Sequence, residues 1–417
     1  MKQSTFKYKS WAILILGALL LAPQFGSNMF ERLELAFFDQ LQTAFPPQAS
    51  RDDQNVLIVA VDEQSLQSIG QWPWPRSVTA HLIQVLHDSG AKVIGLDVLF
   101  AETDRINPDN DKALALSIAN ANVVVGSFND PTARIKSIAE PAISSRLKFL
   151  GNHGKEDQDP TKLSLIYEIE GLLHNLDNIE RAASGSGFLL LMHNGDGVER
   201  NVPLILNAGQ TIEPSFALEV VRVAKGASHT VIGTSRSGVA HVRNENLILP
   251  MQSTGDMYLR YRPFDSSRVI SALDVIEGRA EPKAFENKIV LFGATAQGLH
   301  DQVATPLGDI VPGVAVHATA IEQLMNRWPL YRPDVMHAVE TCILGLLGII
   351  LIIVYAKFSP WVSFAIFLSF ESILAVAAIA LFTGPGIVLQ PIYPGLALTI
   401  MFGGLMFLET MHTSRST

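Results

Sequence analysis

Charge is scarce in this sequence. Asp, Glu, Lys and Arg make up 17% of its 417 residues, against about 25% in soluble domains. That deficit, with a mean hydropathy of +0.25, argues against a wholly soluble cytosolic enzyme. Disorder is excluded too, because it needs low hydrophobicity and high charge. Cysteine is nearly absent. The single Cys342 lies in a hydrophobic run, so no intramolecular disulfide and no all-cysteine metal site can form. Catalytic signatures are missing as well: there is no GxxxxGK[ST] loop, HExxH, GxSxG or dinucleotide glycine fingerprint. The eleven histidines are scattered without metal-ligand spacing. No metal, cofactor or catalytic residue is therefore expected, and the chain does not read as an enzyme.

The charge that is present is segregated. Outside residues 31–334 lie only Lys2, Lys7, Lys9, Lys357, Arg415, Glu340, Glu371 and Glu409. Taking these from the totals of 31 basic and 40 acidic leaves 26 and 37, a net charge of −11. A surface that acidic repels nucleic acid, which is not expected as a partner. About 300 residues suffice for a sizeable core.

The flanks read as four transmembrane helices. Residues 1–10 form a basic cytoplasmic start, and 11–30 are uncharged around WAILILGALLLA, long enough to cross a bilayer. A cleaved signal peptide is the rival, but no clear small-x-small cleavage site follows. Three more spans are expected at 335–356, 358–382 and 387–408, with a short cytoplasmic tail at 409–417. Threading them alternately puts 31–334 outside and all five flanking basic residues in the cytoplasm, as the positive-inside rule asks. Gly395, Thr399 and Gly403 share a face of the last span and would let backbones approach. Pro391 and Pro394 should distort its outer end. Glu371 sits mid-span without Lys or Arg in any span to pair with it. It is either an intramembrane switch or a packing acid bonded through Ser369, Ser372 or a neighbour, and the second reading is preferred.

Within 31–334, the runs 56–63, 91–100, 121–128 and 287–295 are continuously apolar up to polar or glycine punctuation. Helical periods fall between them at 78–90 and 110–120. Together they predict an α/β fold, a parallel sheet covered by helices. Residues 184–262 predict an antiparallel β-rich insertion, with the segments around Asn194-Gly195-Asp196-Gly197 forming a hairpin and a helix at 214–226. Residues 131–182 read as helix and loop, and a last helix is expected at 312–327.

Ligands of open parallel sheets bind beyond the carboxyl ends of the strands. The candidate ligand-binding residues are therefore Asp62, Glu63, Asp97, Gly293 and Thr295, with Trp72, Trp74 and Arg76 from the loop after the first strand and Asp301 and His317 after the last. Arg and Trp could grip a small anionic or polar ligand. The competing reading is a rigid packed loop with Arg76 paired to Asp62 or Asp97, and it is preferred. The acidic loop Glu102, Asp104, Asp109 and Asp111 lacks the pattern of a calcium loop and reads as solvated loop or helix start.

The stretch VLIVAVDEQSLQSIGQWPWPRSVTAHLIQVLHDSGAKVIGLDVLF resembles the signature of the type-two CHASE domain, a cyclase- and histidine-kinase-associated sensory extracellular domain. Gly187, Phe188, Asp196, Gly197, Arg200 and Pro203 match a second segment of that family. Gly293, Asp301, Thr305, Pro306, Pro312, Gly313, His317 and Ala318 match its closing segment. The likeness covers about 31–330, and one N-terminal plus three C-terminal spans is usual for the family. It implies an extracytoplasmic sensory domain in a bacterial plasma membrane, and it supplies no ligand and no catalytic residues. Only Met411 to Thr417 follow the last span, where family members usually continue into an effector. The expectation is a sensor without an output domain of its own. The partners expected are the lipid bilayer, an unidentified extracytoplasmic ligand, a separate cytoplasmic or membrane effector and a second copy of the chain. The alternatives are the input half of a split receptor cyclase or kinase, a membrane-anchored enzyme using strand-end carboxylates, and, most weakly, a transporter coupled through Glu371.

Overall fold

The computed structural model describes residues 2–21, 28–47, 55–129, 146–151, 165–191, 195–209, 211–235, 238–299 and 302–414. The chain divides into an α/β unit, Pro46–Tyr331, and a helical unit, Met1–Phe45 with Arg332–Thr417.

The α/β unit is built on the apolar runs. Six strands lie parallel in the order Val269–Ser271, Val56–Val61, Ile289–Ala294, Val93–Leu96, Val123–Asn129 and Gly185–Phe188. The strand Leu172–Leu173 runs antiparallel to Val123–Asn129. Both faces are covered, which is why the runs lack polar alternation. Val59 and Val61 point into one core with Ile94 and Phe292, while Val56 and Ile58 point into the other with Val93 and Leu291. On the first face lie the helices Arg76–Asp88 and Asp109–Ala119. Arg76–Asp88 buries Thr79, Ala80, Leu82, Ile83 and Leu86, the stripe its helical period predicted. Leu82, Ile83 and Leu86 each contribute roughly 1.5–3 kcal/mol by leaving water. On the second face lie Phe216–Ala224 and Gly313–Asn326.

The antiparallel part is also present. Leu247–Pro250, Gly238–Asn244 and Thr230–Ser235 form a meander. Two expectations change. Residues 131–182 contain strand as well as helix: Leu147–Leu150 adds in parallel to Thr230–Ser235, and Glu168–Ile169 pairs with Ile205–Ala208. Residues 130–145 and 152–164 lie outside the described residues. The segments flanking Asn194–Gly197 do not pair with each other. Gly185–Phe188 joins the central sheet, and Asn201–Pro203 pairs with Asp256–Tyr258. The reason is steric. A side chain on Gly187 would meet the Ser215 and Phe216 backbone at 2.6 Å, so this glycine-bearing strand fits against the start of Phe216–Ala224 where a bulkier one could not.

In the helical unit, Met336–Lys357, Pro360–Thr383 and Ile392–Met411 are long and apolar enough to cross a membrane. The N-terminal helix Lys2–Leu21 carries a shorter apolar stretch, Ser10–Leu21; of the expected span 11–30, residues 22–27 lie outside the described residues. The helix Asn28–Ala44, whose residues from Glu31 on were assigned to the outer domain from sequence, belongs to this unit, and its Phe38 packs edge-on against Phe382 at 6.1 Å. The close helix approach is at Gly348, where an added side chain would meet Leu16 at 2.6 Å and Met401 at 3.4 Å. The expected stripe of small residues does not act as one contact: Gly395 faces the Glu371 carboxylate, and nothing lies within 4 Å of a side chain built at Gly403. Pro391 and Pro394 mark the start of the last helix instead of bending it, because a proline in the first turn forfeits no helical hydrogen bond. Ser369 and Ser372 donate to their own helix, at Ala365 O and Leu368 O, so they do not hold Glu371. Its Oε1 has no hydrogen-bond partner among the described residues.

Candidate ligand cavity

The strand-end residues form supports more than a cavity. Asp62 ends the first strand and caps the helix Glu63–Ile69, its Oδ1 accepting from Ser65 N–H at 2.9 Å and from Ser271 Oγ at 2.9 Å. The carboxylate thereby ties together the starts of two helices, since Ser65 Oγ in turn accepts from Leu273 N–H. Glu63 accepts from Gln297 N–H at 3.0 Å. Thr295 donates its N–H to Val61 O, and Asp97 donates its own to Phe292 O. Gly293 lets Val314 approach, since a Cβ there would lie 2.9 Å from it. His317 is buried edge-on against Phe216 at 5.6 Å, and burial pushes its imidazole down to about 4. It is therefore a neutral core ring at physiological pH. Asp301 lies outside the described residues.

The loop after the first strand is packed. Trp72 and Trp74 stack edge-on at 5.1 Å and both touch Phe292. Trp74 is buried, with its indole N–H given to Gly70 O at 2.9 Å. Arg76 pairs with neither Asp62 nor Asp97. Its guanidinium lies 3.8 Å from Asp111, donates to Glu102 O and covers the Phe100 ring at 4.8 Å. The acidic loop explains this. Asp104 and Asp111 are buried rather than solvated, and Asp104 accepts the N–H groups of Arg76, Ile106 and Asn107. Glu102 and Asp109 are exposed and fit the solvated reading, with Asp109 paired to Lys112 at 2.8 Å. The cavity beside Trp74 and Arg76 is only about 80 Å³.

A cavity of about 350 Å³ opens elsewhere in the α/β unit. Its charged lining is three arginines, Arg260, Arg262 and Arg268, with three carboxylates, Asp265, Asp309 and the buried Glu322. Arg262 donates to Glu322 Oε2 at 2.8 Å, and Arg268 bonds Oε1. Burial lifts the Glu322 carboxyl above the usual carboxylate range, against the pull of Arg268 and Arg262. Arg262 also lies over the Trp328 ring at 5.0 Å, a cation–π contact that fixes the guanidinium plane. Gln323 positions the third arginine by accepting Arg260 N–H at 2.8 Å while donating to Tyr258 O. Glu322 thus serves two guanidiniums, while Arg260, Asp265 and Asp309 complete the charged lining. Such a wall can take the paired oxygens of a carboxylate or phosphate. Pro46 and Pro47, at one end of the unit's sequence, and Trp328, near the other, close the cavity.

None of the arginines nor Glu322 was selected from sequence. The signal available was their density, three arginines within residues 260–268. Thr305 and Ala318, singled out by resemblance, do line this cavity. Asp196 and Arg200 form a bidentate pair at 2.8 and 3.0 Å with the arginine buried, a structural clasp. A family model described as the CHASE2 domain matches residues 12–355. The chain belongs to the CHASE2 domain family. CHASE2 is a family of extracytoplasmic sensory domains, and here it accompanies three helices capable of spanning a membrane. No curated protein and no solved structure matches the chain.

Proposed function

We propose that this CHASE2 protein is a membrane-anchored sensor whose stimulus is a small ligand bearing a carboxylate or phosphate, bound in the arginine-lined cavity. One observation carries the reading: the cavity joins three arginines to residues at both ends of the unit, Pro46–Pro47 and Trp328. A ligand ordering that wall would bias the two chain connections toward the membrane-capable helices, which is how differential binding becomes a signal. The positive-inside rule supports an extracytoplasmic α/β unit with both termini in the cytoplasm of a bacterial cell. A separate effector or a second copy of the chain would receive the signal. No catalytic role is assigned to the strand-end carboxylates, whose foremost member, Asp62, serves as a helix cap.

The test is thermal unfolding of the full chain in detergent with inorganic phosphate or succinate. A ligand at 100 times its Kd adds about 2.7 kcal/mol to the folded state. We expect a rise in Tm with one of these anions that is lost in Arg262→Ala. No rise with either anion, or a rise that survives Arg262→Ala and Arg268→Ala alike, would sink the reading.

A further inference from the structure

A second cavity, of about 210 Å³, lies in the helical unit. The helix Asn28–Ala44 contributes Glu31 and Glu34, the start of Met336–Lys357 contributes His337 and Glu340, and the last helix contributes Tyr393. Its lining contains three carboxylates and neither Lys nor Arg. Glu340 is already satisfied, since Arg332 grips it with two bonds of 2.7 Å and Gln390 N–H adds a third at 2.9 Å. Glu34 is not. Its Oε1 accepts from Tyr393 N–H at 2.8 Å, but Oε2 is buried with no hydrogen-bond partner among the described residues. The residue is only 8% exposed. Burial pushes its carboxyl up to about 7, outweighing the opposing pull of the Tyr393 N–H and the Arg332 charge, the behaviour of an acid held away from water.

The rest of the lining says what kind of cation fits. No group of three His, Cys, Asp or Glu among the described residues could hold a metal ion. Phe30 and Tyr393 meet edge-on at 5.4 Å, and Leu344 is buried beside them. Aromatic faces attract an ammonium, and an apolar wall accepts its carbon stem. The orphaned Oε2 requires a donor, so the nitrogen must carry hydrogen. We propose that this cavity binds a primary ammonium group through Glu34. Two sources share that chemistry: a free amine, and the ethanolammonium headgroup of a bilayer lipid. A choline group has no N–H and would leave Oε2 unsatisfied.

The experiment uses the full chain in nanodiscs. In phosphatidylcholine discs at pH 8, 2-phenylethylammonium is titrated against wild type and Glu34→Gln. Separately, wild type and variant are compared by Tm in phosphatidylcholine and phosphatidylethanolamine discs. We expect either the free amine to bind at least tenfold more weakly to Glu34→Gln, or phosphatidylethanolamine to raise the Tm of wild type alone; the arm that responds names the source. The N-trimethyl analogue of the amine should bind at least tenfold more weakly than the parent. The pH profile gives a readout that needs no variant. Glu31, Glu340, His337, Tyr393 and Arg332 are the other charged or titratable groups facing Glu34. Affinity for the responding primary ammonium should rise about tenfold from pH 6 to pH 8 as Glu34 ionises. The proposal is overturned if neither source acts on wild type, or if the effect is unchanged in Glu34→Gln. It stands or falls separately from the anion cavity, which draws on none of these residues.

Discussion

The two units each bury a glutamate at a cavity and treat it in opposite ways. In the α/β unit Glu322 sits between Arg262 and Arg268, with Arg260 beside them. In the helical unit Glu34 has a backbone N–H on one oxygen and nothing on the other among the described residues. The same side chain is a counterion in one place and an uncompensated charge in the other. Removing it should therefore change stability with opposite sign, and the ligands the two cavities favour should carry opposite charge. Residue type alone decides neither outcome; the partners in reach do.

The strongest challenge to this contrast is Glu322→Ala. It leaves two guanidiniums, 18% and 21% exposed, facing each other without their shared carboxylate. Breaking a buried ion pair from one side costs about 3–5 kcal/mol, a large share of the 5–15 kcal/mol by which domains are typically stable. Circular dichroism of the full chain in detergent should show the α/β unit melting well below wild type. An unchanged melting profile would mean that Glu322 is not the counterion its bonds describe.

Glu34→Gln should act the other way. The folded-state value of Glu34 is about 7, above its ordinary 4.5, so the folded protein holds this proton more tightly than the unfolded chain. That contribution to stability is fully present below about 4.5 and is lost as pH rises through about 7. At about 1.4 kcal/mol per unit the loss amounts to about 3 kcal/mol by pH 8. Glutamine has no proton to lose, so the variant should unfold at higher denaturant than wild type at pH 8, with the difference closing toward pH 4.5. Parallel pH profiles for the two proteins would remove the idea of an uncompensated charge.

How much of this was legible in the sequence follows from the range of the forces involved. The parallel strands were readable because a strand buried on both faces must be apolar throughout, as in VLIVAV. The helix Arg76–Asp88 announced itself by spacing. The strand Gly185–Phe188 was misassigned because its neighbours are chosen by a close approach to Ser215, far away in sequence. Arg76, expected in the loop, opens the helix Arg76–Asp88, and its partner was not Asp62 or Asp97, because burial of Asp104 and Asp111 happens only once the acidic loop folds back. The arginine cavity was invisible for the same reason. Its wall comes from residues 46–47, 58, 260–268, 305–322 and 328, and no local pattern links them. Glu34 was hidden in a helix that sequence assigned to the other unit.

A smaller effect tests whether the strand ends are scaffold. Asp62→Ala removes the acceptor shared by Ser65 and Ser271. Losing a helix cap costs about 1–2 kcal/mol, and part is recovered because the two serine hydroxyls already lie 3.0 Å apart. A modest drop in Tm with unchanged anion response places Asp62 outside the sensing cavity. Loss of the anion response in a folded Asp62→Ala protein would move the site back to the strand ends and dissolve the contrast between the two cavities.

The smallest expected effect sharpens the contrast most. Glu31 lines the same cavity as Glu34 but is exposed. If the acidity of the cavity as a whole drew the ammonium, Glu31→Gln and Glu34→Gln would weaken binding alike. If the buried, unsatisfied oxygen is what matters, Glu31 acts only as a distant charge in water. Its removal then leaves the Tm unchanged and weakens ammonium binding less than twofold. What effect it has should vanish by 1 M salt, where charges more than about 3 Å apart are screened. The Glu34→Gln loss should persist at that salt, because a direct bond in a buried site is screened far less. Isothermal titration of both variants at low and high salt separates the cases, and equal, salt-sensitive losses would reduce the site to an acidic patch.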